Sequence, residues 1–211
     1  MTPRPRRLHL LRLLPQAWVT TSGPGGRRAL YLSFDDGPHP EHTLPLLDLL
    51  AAHDARATFF LVGNRVEQHG AVVARIVQAG HTLGNHSYDH PRFEMLPLAE
   101  QLAQIDRTDQ VLGAYDQRPR HLFRTPRGVL PLPLMTHLVR QRRPIAYWSY
   151  DSLDYGRRPA PELIEIARKH PPRDNDIILM HDDSNISLQM LATLIPEWKV
   201  RGFRFEALPP A

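Results

Sequence analysis

The sequence predicts a single-domain α/β protein whose parallel sheet curls into a barrel with fewer than eight units. Apolar strand-like runs and helical runs alternate along most of the 211 residues, giving about seven strands. Asp35, His86, Arg124, Asp151 and His181 each stand just past the carboxyl end of a different strand run, the edge where barrel loops assemble sites. An eight-fold barrel takes roughly 250 residues, so a chain of this length fits a smaller barrel better, with an open doubly wound sheet as the alternative.

The elements follow in order. Ala29 to Phe34 reads as the first strand and Leu44 to His53 as a helix, then Ala57 to Val62 as strand and Val66 to Ala79 as helix. His81 to Gly84 continues as strand, Leu98 to Tyr115 as helix, and His121 to Phe123 as strand, with a short helix after Pro131. Ile145 to Tyr150, Ile177 to Met180 and Phe203 to Ala207 are the remaining strands, separated by helices from Pro161 to Lys169 and Ser187 to Lys199. Residues 1–28 read as an N-terminal extension, set off by the Gly23 to Gly26 stretch, and residues 29–211 as the domain itself.

Composition bounds the chemistry. The 42% hydrophobic and 23% charged content is ordinary for a soluble globular protein, and no apolar stretch approaches the length of a membrane span. The net charge of +4 rests on arginines, since Lys169 and Lys199 are the only lysines. These arginines scatter without aromatic interleaving, which argues against nucleic-acid binding. With 12 histidines and no cysteine, a metal here must be held by imidazole and carboxylate.

Arg4, Arg6 and Arg7 precede an apolar run from Leu8 to Leu14, but Arg12 and Pro15 interrupt it and no small-residue cleavage site follows. Leu10, Leu11, Leu14 and Trp18 near one helix face permit a weak membrane-surface anchor, although a frayed or core-docked extension explains them as well. The lack of a clear export signal slightly favours a cytoplasmic or membrane-peripheral location.

Adjacent strand residues point to opposite faces, so Asp35 and Asp36 can serve one site only if the strand breaks there, and Gly37-Pro38 supplies a break. His86 and His90, four apart, would share one side of a helical turn. Asp36, His86 and His90 together would supply three ligands and leave a position open for water. His9, His39, His42, His53, His69, His81, His121, His137 and His170 lack such company and read as surface or helix-end histidines.

Five segments then occur in order: Ser33-Phe34-Asp35-Asp36-Gly37-Pro38, His86-Ser87-Tyr88-Asp89-His90, Phe123-Arg124-Thr125-Pro126-Arg127-Gly128, Asp151-Ser152-Leu153-Asp154-Tyr155 and Leu179-Met180-His181. They resemble the five motifs of polysaccharide deacetylases with a NodB homology domain, carbohydrate esterase family 4. The resemblance covers about Tyr31 to His181 and implies a distorted (β/α)7 barrel. It further implies a divalent cation, usually zinc, on Asp36, His86 and His90, with Asp35 as general base and His181 as general acid for amide hydrolysis. By the same resemblance Arg124 orients Asp35, Asp154 orients His181, and the Arg127 backbone N–H stabilises the oxyanion.

Two positions depart from the family pattern, with Arg127 where tyrosine is common and Tyr155 where tryptophan is common. Both belong to the expected substrate pocket. An Arg127 guanidinium there is consistent with an anionic glycan or a phosphate-bearing sugar carrier, and a solvent-pointing side chain is the plain alternative. Tyr147 and Trp148 read as core, and Asp182-Asp183-Ser184-Asn185 as an N-cap for the following helix. The function expected is N-deacetylation of an amino-sugar polymer or oligosaccharide. N-deformylation of a lipid-linked amino sugar and non-catalytic carbohydrate binding are alternatives, while His86 and His90 argue against a magnesium-dependent phosphoacceptor.

Overall fold

The strand Ala29–Asp35 is buried at all seven positions, as a strand covered on both faces must be. In the computed structural model, which describes residues 3–4, 11–25, 28–156 and 158–211, this strand is the hub of the sheet. The strands are β1 (Val19–Thr20), β2 (Ala29–Asp35), β3 (Ala57–Leu61), β4 (Thr82–Asn85), β5 (Leu122–Phe123), β6 (Ile145–Ala146), β7 (Tyr150–Asp151), β8 (Ile177–His181) and β9 (Arg204–Phe205). Among the described residues all pairings are parallel, in the order β1-β6-β5-β4-β3-β2-β8-β7, with β9 also on β2. The sheet curls into the distorted (β/α)7 barrel.

Its helices are α1 (Thr43–Ala52), α2 (Gly63–Gln68), α3 (Gly70–Gln78), α4 (Leu98–Asp116), α5 (Leu132–Arg140), α6 (Ala160–Lys169) and α7 (Ile186–Val200). Leu30, Leu32 and Phe34 of β2 face them, within a cluster that includes Leu46 and Leu50 of α1 and Leu191 and Leu194 of α7. Burying each such side chain contributes about 1.5–3 kcal/mol. The alternate residues Ala29 and Tyr31 join Phe60, Ala146, Ile177 and Leu208 in a separate inner cluster. Period two therefore carries Ser33 and Asp35 onto that inner face and up to its mouth. Gly84 in β4 lets the inner Phe60 ring come close, since a Cβ there would stand 2.5 Å from it.

Two elements differ from expectation. The strand expected over Ile145 to Tyr150 is split into β6 and β7, because this run bonds β5 and β1 at its start and β8 at its end. Tyr147 N–H accordingly bonds Thr20 O at 2.8 Å, while Ser149 N–H bonds Ile177 O at 3.0 Å. That change of neighbour distorts the barrel. The helix expected from Val66 to Ala79 is instead α2 and α3, broken at His69 with φ −126°.

The expected extension over residues 1–28 contributes β1 to the sheet, with Val19 fully buried. Pro3 O accepts the Asp151 N–H at 2.7 Å, and Leu11 and Leu14 pack on the cluster of Phe93, Phe123 and Leu134. Arg6, Arg7, Leu8, His9, Leu10 and Gly26 lie outside the described residues. No helix among the described residues is long and apolar enough to cross a membrane.

Candidate active site

One strand end places the carboxylates and one loop places the imidazoles. β2 ends at Asp35, and Asp36 adopts φ 75°, so the chain turns and both side chains face one cleft. Arg65 donates to the Asp36 carbonyl and holds that turn. His86 follows β4, and its Nδ1 lies 2.9 Å from Arg124 O. A carbonyl only accepts, so Nδ1 carries the proton and Nε2 presents its lone pair to the cleft. The helical turn expected for His86 to His90 is absent. The segment is a loop with left-handed backbone at Ser87 (φ 69°) and His90 (φ 56°), and this geometry brings the rings to 5.1 Å.

Asp36 Oδ1 lies 3.5 Å from His86 Nε2 and 3.2 Å from His90 Nε2. These distances fall within ion-pair range, yet Asp36 Oδ1 is buried and makes no hydrogen bond. An orphaned carboxylate oxygen facing two imidazole nitrogens is the donor set of a divalent-metal centre, and the three ligand atoms lie within 4.8 Å of one another. Burial also keeps His86 neutral, pushing its pKa down to about 3 against the pull of Asp36. The residues present therefore fit a cation.

On one side of this centre, Arg124 is fully buried and donates to Asp35 Oδ1 at 2.7 Å and Ser33 Oγ at 2.9 Å, with its guanidinium 3.9 Å from the Phe60 ring centre. Asp35 Oδ2 remains toward the Asp36, His86 and His90 group, 3.7 Å from His86 Nε2. Burial raises the Asp35 pKa, while Arg124 and His181 pull it back.

On the other side, His181 Nδ1 bonds Asp154 Oδ1 at 2.8 Å, and Asp154 Oδ2 accepts the His181 backbone N–H and the Ser187 hydroxyl. Burial lowers the His181 pKa, but the hydrogen bond and charge of Asp154, with Asp35 and Asp36, more than reverse it, to about 10. The carboxylate holds the ring and favours its protonated form.

The cleft between them has a volume of about 360 Å³ and is also lined by Arg127, Trp148, Asp151, Tyr155 and Leu179. Arg127 is exposed and left-handed at φ 58°, within the Pro126–Gly128 turn. Gly128, at φ 65°, leaves room for Trp148, whose ring a Cβ would meet at 2.6 Å. Trp148 packs partly buried against two apolar clusters and also lines the cleft, while Tyr147 is buried. Tyr155 sets its ring edge-on to His181 at 5.6 Å and directs its hydroxyl to Asp151 at 3.3 Å.

Other residues take places the sequence does not signal. Asp182 is buried and accepts from Thr43 instead of capping α7, and burial raises its pKa to about 7. His121, expected at the surface, is 1% exposed, with Asp109 at 3.1 Å from Nδ1 and Asp116 at 3.1 Å from Nε2. His81 is likewise buried and accepts the Ala57 N–H through Nδ1 at 3.2 Å. Asp109 also accepts Arg143 at 2.6 Å and Asn85 at 2.8 Å, which ties the residue preceding His86 to α4. Only a pairing signal between these distant positions could have found this network.

Comparison with known proteins gives a consistent result. The family model described as polysaccharide deacetylase matches residues 22–140, just over half of the chain. A peptidoglycan-N-acetylglucosamine deacetylase from Bacillus cereus is 32% identical over 206 residues, covering 92% of this chain and 74% of the relative. A chitooligosaccharide deacetylase from Sinorhizobium fredii is 30% identical over 219 residues, covering 97% of this chain and 98% of the relative. The crystal structure of the Bc1960 peptidoglycan N-acetylglucosamine deacetylase, bound to 4-naphthalen-1-yl-N-oxidanyl-benzamide, aligns with TM-score 0.85 at 31% identity, over 90% of this chain and 91% of that one.

Proposed function

The chain belongs to the polysaccharide deacetylase family, and we propose that it hydrolyses N-acetyl groups from amino sugars of a polysaccharide or oligosaccharide. The observation that carries this reading is the convergence on one cleft of a three-ligand set, an Arg-held carboxylate and an Asp-held imidazolium.

Asp36, His86 and His90 would hold the cation, and zinc suits them. Two imidazoles and one carboxylate without a thiolate form a donor set that zinc would accept, and their ligand atoms already lie within 4.8 Å of one another. A cation there would supply Lewis-acid polarisation of the amide and a more acidic water. The remaining work falls to side chains. Arg124 occupies Asp35 Oδ1, leaving Oδ2 to take the proton of the attacking water. Asp154 occupies His181 Nδ1, leaving the Nε2 proton for the departing amine. The Arg127 backbone N–H would donate to the tetrahedral oxyanion. Arg127 at the rim further supports a substrate carrying a carboxylate or phosphate near the reacting amide.

The test is zinc-reloaded protein incubated with N-acetylated, O-acetylated and N-formylated sugars, neutral and anionic, with products read by mass spectrometry. Loss of acetyl from an amino sugar is expected. Loss of formyl alone would redirect the assignment to a smaller amide, and no product from any, with metal bound, would leave a binding protein.

A further inference from the structure

The two middle N–H groups of the loop that carries both imidazoles are bound by one side-chain oxygen of α4. Of the loop's four successive N–H groups after His86, Ser87 bonds Asn85 Oδ1 at 3.0 Å and His90 bonds Ser87 Oγ at 3.2 Å. The two between them, Tyr88 and Asp89, both donate to Gln104 Oε1 from α4, at 2.9 and 3.1 Å. The loop carbonyls of Ser87 and Tyr88 accept the N–H groups of Gly63 and Asn64 at 3.0 and 2.8 Å. The pinned segment is the strained one, because Ser87 and His90 are non-glycine residues in left-handed backbone. Such geometry persists only where its surroundings impose it.

We propose that Gln104 is a positioning residue for the metal site. Its Oε1 binds the middle of the His86–His90 loop and so keeps the left-handed backbone that turns His90 Nε2 to within 3.2 Å of Asp36 Oδ1. It does this without touching a ligand side chain. A polar group that orients metal ligands from behind acts on affinity, because an unbraced ligand spends binding energy on being ordered. The inference rests on the metal reading above and adds a residue that none of the five motifs contains.

Zinc affinity, measured by competition with a chromophoric chelator, tests it on Gln104→Met and Gln104→Glu. The first keeps the side chain's length and removes the acceptor; the second keeps an acceptor oxygen in its place. Gln104→Met is expected to bind zinc roughly 10- to 100-fold more weakly, and Gln104→Glu to recover most of that loss. Gln110→Met, on an exposed glutamine further along the same helix, is the control and should bind as the wild type. Thermal melting of the zinc-free proteins accompanies the titrations. A purely structural role would lower melting without the Met-to-Glu recovery in affinity, and would overturn the proposal. So would equal affinity in wild type and Gln104→Met. If Gln104→Met does not fold, Gln104→Ala removes the same acceptor while favouring the helix, and the same two outcomes decide. A wild type that binds no zinc would instead sink the metal reading, and this inference with it.

Discussion

Asp154 accepts two hydrogen bonds from His181, one from the ring Nδ1–H at 2.8 Å and one from the backbone N–H at 2.7 Å. The second fixes the carboxylate in the frame of the strand that carries the histidine, so the first is aligned before substrate arrives. Asp154 is therefore both clamp and counter-charge, and the raised proton affinity of His181 is its consequence.

The pH dependence follows from that pair. The His181 pKa lies above its ordinary 6.5, at about 10, so its proton contributes stability that is fully present below 6.5 and lost as pH rises through about 10. In the proposed reaction the same proton goes to the leaving amine, so turnover should fall along an upper limb within this window. Asp36 contributes to the rise, and a cation on it would offset that share, which places the limb below the upper end. Asp154→Asn should move the limb toward lower pH. A profile whose upper limb does not move would remove Asp154 from this role.

Base and ligand should separate on mutation. Asp35→Asn is expected to cost about 10² to 10⁴-fold in kcat while zinc stays bound, since Asp35 is held by Arg124 and lies outside the ligand set. Asp36→Ala should lose the metal and with it the activity. Metal analysis of the dialysed variants beside their kcat checks both, and full zinc occupancy in Asp36→Ala would refute the ligand assignment.

The legible and illegible parts of this site divide along physical lines. Asp35, Asp36, His86, His90, Arg124, Asp154 and His181 stand in short motifs at strand ends, where local sequence and the alternation of elements place them together. The left-handed backbone at Ser87 and His90 was not legible, because Asn85, Ser87 and Gln104 impose it through hydrogen bonds that leave no period in the chain. β1 has two residues and carries no alternation to detect, so only its pairing with β6 reveals it. His121 is buried because Asp109 and Arg143 reach it from 12 and 22 positions away. Trp148 reaches the cleft while still packing on the apolar clusters, at the point where its strand run breaks to change neighbours, which composition does not signal.

Arg127 should set charge selectivity. Its side chain is exposed at the cleft rim and its backbone, not its guanidinium, would serve the oxyanion. Arg127→Gln leaves that backbone group in place. It is expected to reduce kcat/KM for a carboxylate- or phosphate-bearing substrate by about tenfold or more, the scale of one charge-assisted hydrogen bond of about 1.5–3 kcal/mol, and to change a neutral N-acetylated substrate little. Equal losses on both substrates would show that the guanidinium does not read charge.

The buried network behind the metal loop should appear in stability. Asp109 is 6% exposed and accepts Arg143 at 2.6 and 3.0 Å, together with His121 and Asn85. Asp109→Ala leaves the Arg143 cation buried without its counter-charge, a loss of about 3–5 kcal/mol. For a domain of this size each kcal/mol shifts Tm by about 2–4 °C, so a fall of roughly 6–20 °C is expected by calorimetry. Replacing both partners, as Asp109→Leu with Arg143→Met, removes the stranded charge and should recover much of that fall, since an apolar pair of similar volume is often neutral. The double variant still removes one of the two acceptors that Asn85 and His121 each have, so recovery should stop short of the wild type. If Asp109→Ala melted as the wild type does, water would have to reach Arg143, and the network would not be the sealed brace its burial describes.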